Sequence, residues 1–163
     1  MLSIPIRLGA IAGLVSGLWI GFQNSTGNAL SAARAQYLLP LLLLTGILFA
    51  MYFTRKNEKD GLLDFRATAR AGAISTLVTS LFLAAIIFGY HRWFNPEWAE
   101  IRLAEAVEFW EKNNYTPVNI DELSLKLRED LSPARQAFRK LTMTLAMGIP
   151  FSMLAAFFMK KTK

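Results

Sequence analysis

The chain has 163 residues, 53% of them hydrophobic, a net charge of +6, one histidine and no cysteine. This is one domain's worth of chain and too apolar for an ordinary soluble domain. The absence of cysteine excludes disulfides, thiolate metal sites and cysteine nucleophiles, and a single histidine excludes a multi-histidine zinc or haem site.

The apolar residues fall in blocks, and about 20 apolar residues are needed for a helix to cross a bilayer core. Four such blocks, at about residues 4–22, 37–54, 71–90 and 141–159, predict four transmembrane helices. Inside the first, Arg7 has a stem long enough to bring its charge to the surface. Gly9, Gly13, Gly17 and Gly21 recur every four residues and so share one stripe of the helix, where small residues admit a neighbouring backbone. That stripe seats either another helix of this chain or a second subunit, in a hetero-complex or a homo-oligomer. The small-residue pairs of ALSAARA, residues 29–35, have the form of a signal-peptide cleavage region, but the region is too long for one, and a retained first helix is expected.

Residues 23–36, QNSTGNALSAARAQ, are polar and predicted to form a turn between the first two spans. The NST at Asn24 and the NYT at Asn114 match the glycosylation pattern, which matters only in a host that glycosylates. After the second span, residues 55–70 begin with a basic anchor. Asp64 is placed to cap a third helix, with Arg66 and Arg70 one turn apart at the headgroups. The third span ends in YHRWFNPEW, residues 90–98. Tyr90 and Trp93 belong at the aromatic belt, His91 and Arg92 at the emergence into water, and Asn95 with Pro96 at the start of a new helix.

From there a helical wheel gathers Trp98, Leu103, Ala106, Val107, Phe109 and Trp110 on one half. It places Glu97, Glu100, Glu105, Glu108, Glu111 and Lys112 on the other, with Ile101 and Ala104 among the charges. Membrane-surface helices are usually basic on the polar face, so this acidic, aromatic helix is expected to dock on protein through Trp98, Leu103, Val107, Phe109 and Trp110. NNYTPV breaks it, and NIDELSLKLRED starts another with Asn119 or Asp121 as cap. Ser132 and Pro133 then launch the last helix, in which Gly148 and Pro150 predict a kink.

Counting basic residues in the short flanks gives nine on the side of the N-terminus, the second loop and the C-terminus. On the other side the first loop has only Arg34. This predicts both termini in the cytoplasm. Residues 91–140 carry eight basic and nine acidic residues, a solvated extracytoplasmic segment and not a nucleic-acid surface. No ionisable residue lies in the charge-free core of any span, which argues against ion coupling. The polar groups there are hydroxyls such as Thr45, Thr76, Thr79, Ser80, Thr142, Thr144 and Ser152, expected to bond their own or a neighbouring helix. No phosphate loop, dinucleotide turn or nucleophile elbow is present.

The stretches RKNEKDGLLDFRATARAG and YHRWFNPEW, a basic run, a glycine with an aliphatic pair, an F, A and G series and then aromatics with NPE, resemble a bacterial four-helix membrane family. It is known only as a domain of unknown function (family four-one-nine-nine). Asp64 stands where that family usually shows a hydroxyl before the aromatic. The resemblance implies a bacterial inner-membrane location and a four-span plan, and brings no activity.

The sequence therefore predicts an all-α polytopic membrane protein with four transmembrane helices and a helical extracytoplasmic loop domain over residues 95–132. The expected role is non-enzymatic, as an accessory or assembly subunit in the bilayer, with no catalytic residue, metal or cofactor. The alternative is a small uncoupled transporter or channel gated at Gly148 and Pro150.

Overall fold

A computed structural model of the chain describes residues 3–26, 29–57 and 65–159, and for residues 23–26 and 29–39 the backbone alone. The described residues form six α-helices and no strand: α1 (Ser3–Thr26), α2 (Ala29–Lys56), α3 (Phe65–Gly89), α4 (Trp98–Lys112), α5 (Pro117–Asp130) and α6 (Pro133–Met159). A π turn, Tyr90–Phe94, continues α3. Three stretches are long and apolar enough to cross a membrane: Ser3–Phe22, Phe65–Phe94 and Pro133–Met159. The 28-residue α2 runs beside them, and its basic end, Arg55 and Lys56, sits at the same end of the bundle as the last turn of α6.

The polar stretch 23–36 is mostly helical, not a turn. It contains no proline, and ALSAARA is rich in alanine, the strongest helix former; only Gly27 and Asn28, outside the described residues, separate α1 from α2. The expected cap Asp64 also lies outside the described residues.

Helix α3 is the centre of the bundle, packed against α1, α2 and α6. Its inward face is made of hydroxyls: Ser75, Thr76, Thr79 and Ser80 are all buried. Thr76 Oγ1 donates to Gly72 O at 2.9 Å, while Thr79 Oγ1 lies 2.8 Å from Ser75 O and 3.0 Å from Gly9 O on α1. Thr76, Thr79 and Ser80 satisfy their hydroxyls on backbone carbonyls, while Ser75 Oγ is buried without a partner among the described residues; side chains this small leave room for close helix approach, which drives association in lipid. A compact apolar core of Leu43, Ile47 and Met51 from α2 with Ala155 and Ala156 from α6 closes one end. There Arg55 of α2 donates to the Met159 carbonyl at 3.2 Å, satisfying a C-terminal carbonyl of α6. Outside, the bundle shows Ile11, Leu18, Leu81, Leu154, Phe157 and Phe158 to its surroundings. Large apolar side chains outside and small polar ones inside suit a lipid solvent.

At the other end, α4 and α5 form a hairpin. The turn between them is a Schellman motif, with Asn114 at φ 58°, Tyr115 N bonding Trp110 O at 3.1 Å and Asn114 N bonding Glu111 O at 3.1 Å. Asparagine tolerates the left-handed region better than other residues with a Cβ. Two expected caps need correction. Helix α4 starts at Trp98, with Glu97 and not Asn95 at its N-cap; the Asn95 N–H closes the wide turn on Tyr90 O at 2.9 Å, and its side-chain amide donates to Tyr90 Oη at 3.4 Å instead of capping α4. Helix α5 is capped by Thr116, whose Oγ1 accepts from Asn119 N at 3.4 Å with Pro117 at N1. The cap is therefore neither Asn119 nor Asp121, since Thr-Pro uses the same device as Ser132-Pro133, where Ser132 Oγ accepts from Arg135 N at 3.4 Å.

Candidate functional site

The glycine stripe faces α3 along its length. A Cβ at Gly9 would lie 2.6 Å from Ser75 O, at Gly13 2.7 Å from Phe82 Cβ and at Gly17 2.6 Å from Ile86 Cδ1, while at Gly21 it would rest 3.5 Å from the Tyr90 ring. The first three positions admit no side chain, and the groove they make is filled by this chain's own third helix. The described residues thus leave no open glycine groove on α1 for a second subunit.

Gly148 plays the same part in α6. A Cβ there would lie 2.3 Å from Thr76 Cγ2, and Ser152, one turn on, approaches Thr76 Oγ1 at 3.4 Å and donates to Gly148 O at 2.7 Å. Pro150 lies on the exposed side of α6, which stays one helix from Pro133 to Met159. With Gly148 filled by Thr76 and Pro150 outward, the segment is a packing contact with a proline on its outer face.

The wheel of α4 divides as the packing requires, with one exception. Trp98, Leu103, Val107 and Trp110 are half-buried, but Phe109 is 61% exposed. Its direction falls between the half-buried stripe and the acids. Ile101 of α4 at 53%, and Val118 at 76% and Leu125 at 71% of α5, are exposed as well. Around them the acids pair locally: Arg102 with Glu105 at 2.8 Å, Lys112 with Glu108 at 2.6 Å and Lys126 with Glu122 at 2.6 Å. The Lys126 hydrogen bond holds the Glu122 carboxyl below the usual carboxylate range. Arg128 reaches Glu100 at 2.8 Å and ties α5 to α4, and Arg135 binds Glu129 and, at 3.0 Å, Asp130. Exposed pairs of this kind contribute little energy, and only Arg128 with Glu100 links α4 to α5. Among the described residues no three His, Asp or Glu side chains gather as metal ligands would.

At the junction, Trp93 and Phe94 stand out, 73% and 82% exposed, with Trp93 edge-on to Phe88 at 6.3 Å. Tyr90 turns inward over Gly21. His91, expected at the emergence into water, is instead 6% exposed, its ring 4.3 Å from Trp98 and 5.4 Å from Tyr90. Its Nδ1 has no hydrogen-bond partner among the described residues. Lys140, on α6, is half-buried. Sequence reasoning placed Lys140 in the solvated loop. The Ser132-Pro133 start of α6, itself expected from the sequence, puts Lys140 two turns into that helix.

The arrangement is that of a helical protein built to sit in a membrane, with small-residue seams inside and a charged helical hairpin at one end. Residues 7–161 match the family described as protein of unknown function (DUF4199), and the chain belongs to that family. Neither a curated protein nor a solved structure matches it.

Proposed function

We propose that the protein is a four-span bacterial inner-membrane protein with both termini cytoplasmic, non-enzymatic, serving as an accessory or assembly subunit of a membrane complex. In this reading α2 is the fourth span. It lies antiparallel between neighbours of spanning length, and its leucine-rich segment ends in the basic pair Arg55 and Lys56 expected on a cytoplasmic side.

The observation that carries the role is the outer surface of the α4–α5 hairpin. Ile101, Phe109, Val118 and Leu125 are exposed there while held on a braced scaffold, and acids surround them. Between Glu97 and Asp130 nine acidic side chains outnumber four basic ones. Anionic lipid would be repelled, whereas a basic, amphipathic protein surface fits both the charge and the apolar anchors. The transporter reading has less support. Its expected gate at Gly148 is filled by Thr76, and Pro150 lies on the outer face.

The test is isolation of the full-length tagged protein in mild detergent with and without Phe109→Glu and Leu125→Glu. The expected outcome is a larger assembly that the double variant loses while keeping its own helical content. Migration of the unaltered protein alone, or an assembly indifferent to these substitutions, removes the reading. Flux of small solutes into liposomes holding only this protein would favour the transporter.

A further inference from the structure

The seam between α3 and α6 sets the level each helix reaches. Gly72 faces Ser152 and Thr76 faces Gly148, and the antiparallel register continues through Ser80 and Thr144, both buried, to bring Lys140 level with Ala84 and Arg139 level with Ala85. Elsewhere the apolar surface runs past that level toward the hairpin. Gly17 faces Ile86 and Gly21 faces Tyr90, so the exposed Leu18 and Phe22 of α1 lie beyond it, as do the exposed Phe88 and Trp93. Arg139 and Lys140 thus stop about 8 Å short of the level of Tyr90, at about 1.5 Å per residue.

None of the ion pairs among the described residues includes either cation, and the acids nearest to them in the chain, Glu129 and Asp130, are held by Arg135. Arg139 is exposed and Lys140 half-buried. At about 100° per residue, Met143 lies one turn deeper and between the directions of the two cations, and Met147 and Leu154 continue the strip below it. All three are exposed, at 49%, 43% and 57%. Two unpaired cations therefore stand above an apolar strip whose methionines adapt to a flexible chain. A guanidinium left in hydrocarbon is costly, and snorkelling with local thinning of the leaflet brings phosphate oxygens to it. A phosphate accepts two N–H bonds from the arginine fork and another from a lysine ammonium.

We propose that Arg139 and Lys140 hold the phosphate of an anionic phospholipid in the leaflet at the hairpin end of the bundle, with an acyl chain laid along Met143, Met147 and Leu154. A headgroup of net negative charge is selected because two cations stand unneutralised there, whereas a zwitterionic headgroup brings an ammonium of its own. The site rests on α6 being a span. It is separate from the outer surface of the hairpin and does not depend on the partner proposed for that surface.

The test is native mass spectrometry of the full-length protein in mild detergent, titrated with phosphatidylglycerol or with phosphatidylethanolamine of the same chains. The expected result is saturable addition of phosphatidylglycerol at concentrations where phosphatidylethanolamine does not add. Arg139→Gln removes the bidentate donor at an exposed position, so it should weaken phosphatidylglycerol binding about tenfold or more, and Lys140→Gln added to it should weaken binding further. Lys126→Gln, which removes an exposed cation from the hairpin, should leave binding unchanged. Equal affinity for the two lipids, or affinity for phosphatidylglycerol unchanged in Arg139→Gln, would overturn the proposal. So would a protein that co-purifies with the unaltered chain and is lost with Arg139→Gln, because that protein would then occupy the cations. Should the double variant fail to fold by circular dichroism, Arg139→Gln and the comparison of the two lipids decide the matter.

Discussion

Gly148 and Thr76 meet at the tightest point of the α3–α6 seam, where the position of a missing Cβ lies 2.3 Å from Thr76 Cγ2 and 2.8 Å from its Oγ1. Threonine is stiff at χ1 and its hydroxyl is engaged with Gly72 O at 2.9 Å, so it cannot swing away cheaply. Gly148→Ala should therefore cost about 1–3 kcal/mol, the range for overpacking a filled core. Thr76→Ala removes both obstructing atoms. Thermal unfolding in detergent should find the double variant Thr76→Ala with Gly148→Ala markedly more stable than the sum of the single effects, as expected for two residues in contact. Simple additivity would mean that the seam opens freely at this level. The same steric logic governs Gly9, Gly13 and Gly17 against α3. A large side chain there acts on the fold before it can act on any assembly, so loss of a complex in such a variant says nothing by itself about a partner.

At the scale of elements, the α4–α5 hairpin depends on a left-handed residue. Asn114 has φ 58° and closes the Schellman turn that lets α5 return over Leu103, Val107 and Trp110. Asn114→Gly should leave the hairpin intact, since glycine enters this region without a Cβ penalty. Asn114→Val, β-branched and strained there, should destabilise it by about 1–2 kcal/mol. Hydrogen exchange would show the second change as faster exchange confined to α4 and α5, with α1, α3 and α6 unaltered. Uniformly faster exchange would mean that the hairpin and the bundle unfold as one unit. Separability is expected because α5 touches the bundle lightly, through α6, while α3 is packed along its length against α1 and α6.

For the whole molecule, the feature open to test is which end of the bundle faces which compartment. The chain has no cysteine, so single introduced cysteines report without background. With cytoplasmic termini, Glu108→Cys on the exposed face of α4 should react with a membrane-impermeant maleimide in spheroplasts. Asn57→Cys, just beyond α2, should react only after lysis. The reverse pattern would invert the orientation drawn from charge. Labelling of both positions in intact spheroplasts would mean that α3, which lies between them, does not cross.

The sequence by itself determined the helical class, the apolar blocks and the family. These follow from local quantities: run length against bilayer thickness, small residues at helical spacing, and a basic and aromatic pattern carried by a few contiguous stretches. It also located the glycine stripe and the Ser132-Pro133 start of α6, since spacing and cap chemistry are local. Only the tertiary structure decided what the stripe faces. Gly9 and Ser75 are far apart in the chain, and nothing local distinguishes a groove for α3 from a groove for another subunit. The same holds for the hairpin, where Phe109 belongs to the apolar half of the wheel and yet stays exposed. It holds most clearly for His91, which looks in the sequence like a residue at the water's edge and is buried against Trp98 once the π turn at the end of α3 redirects it.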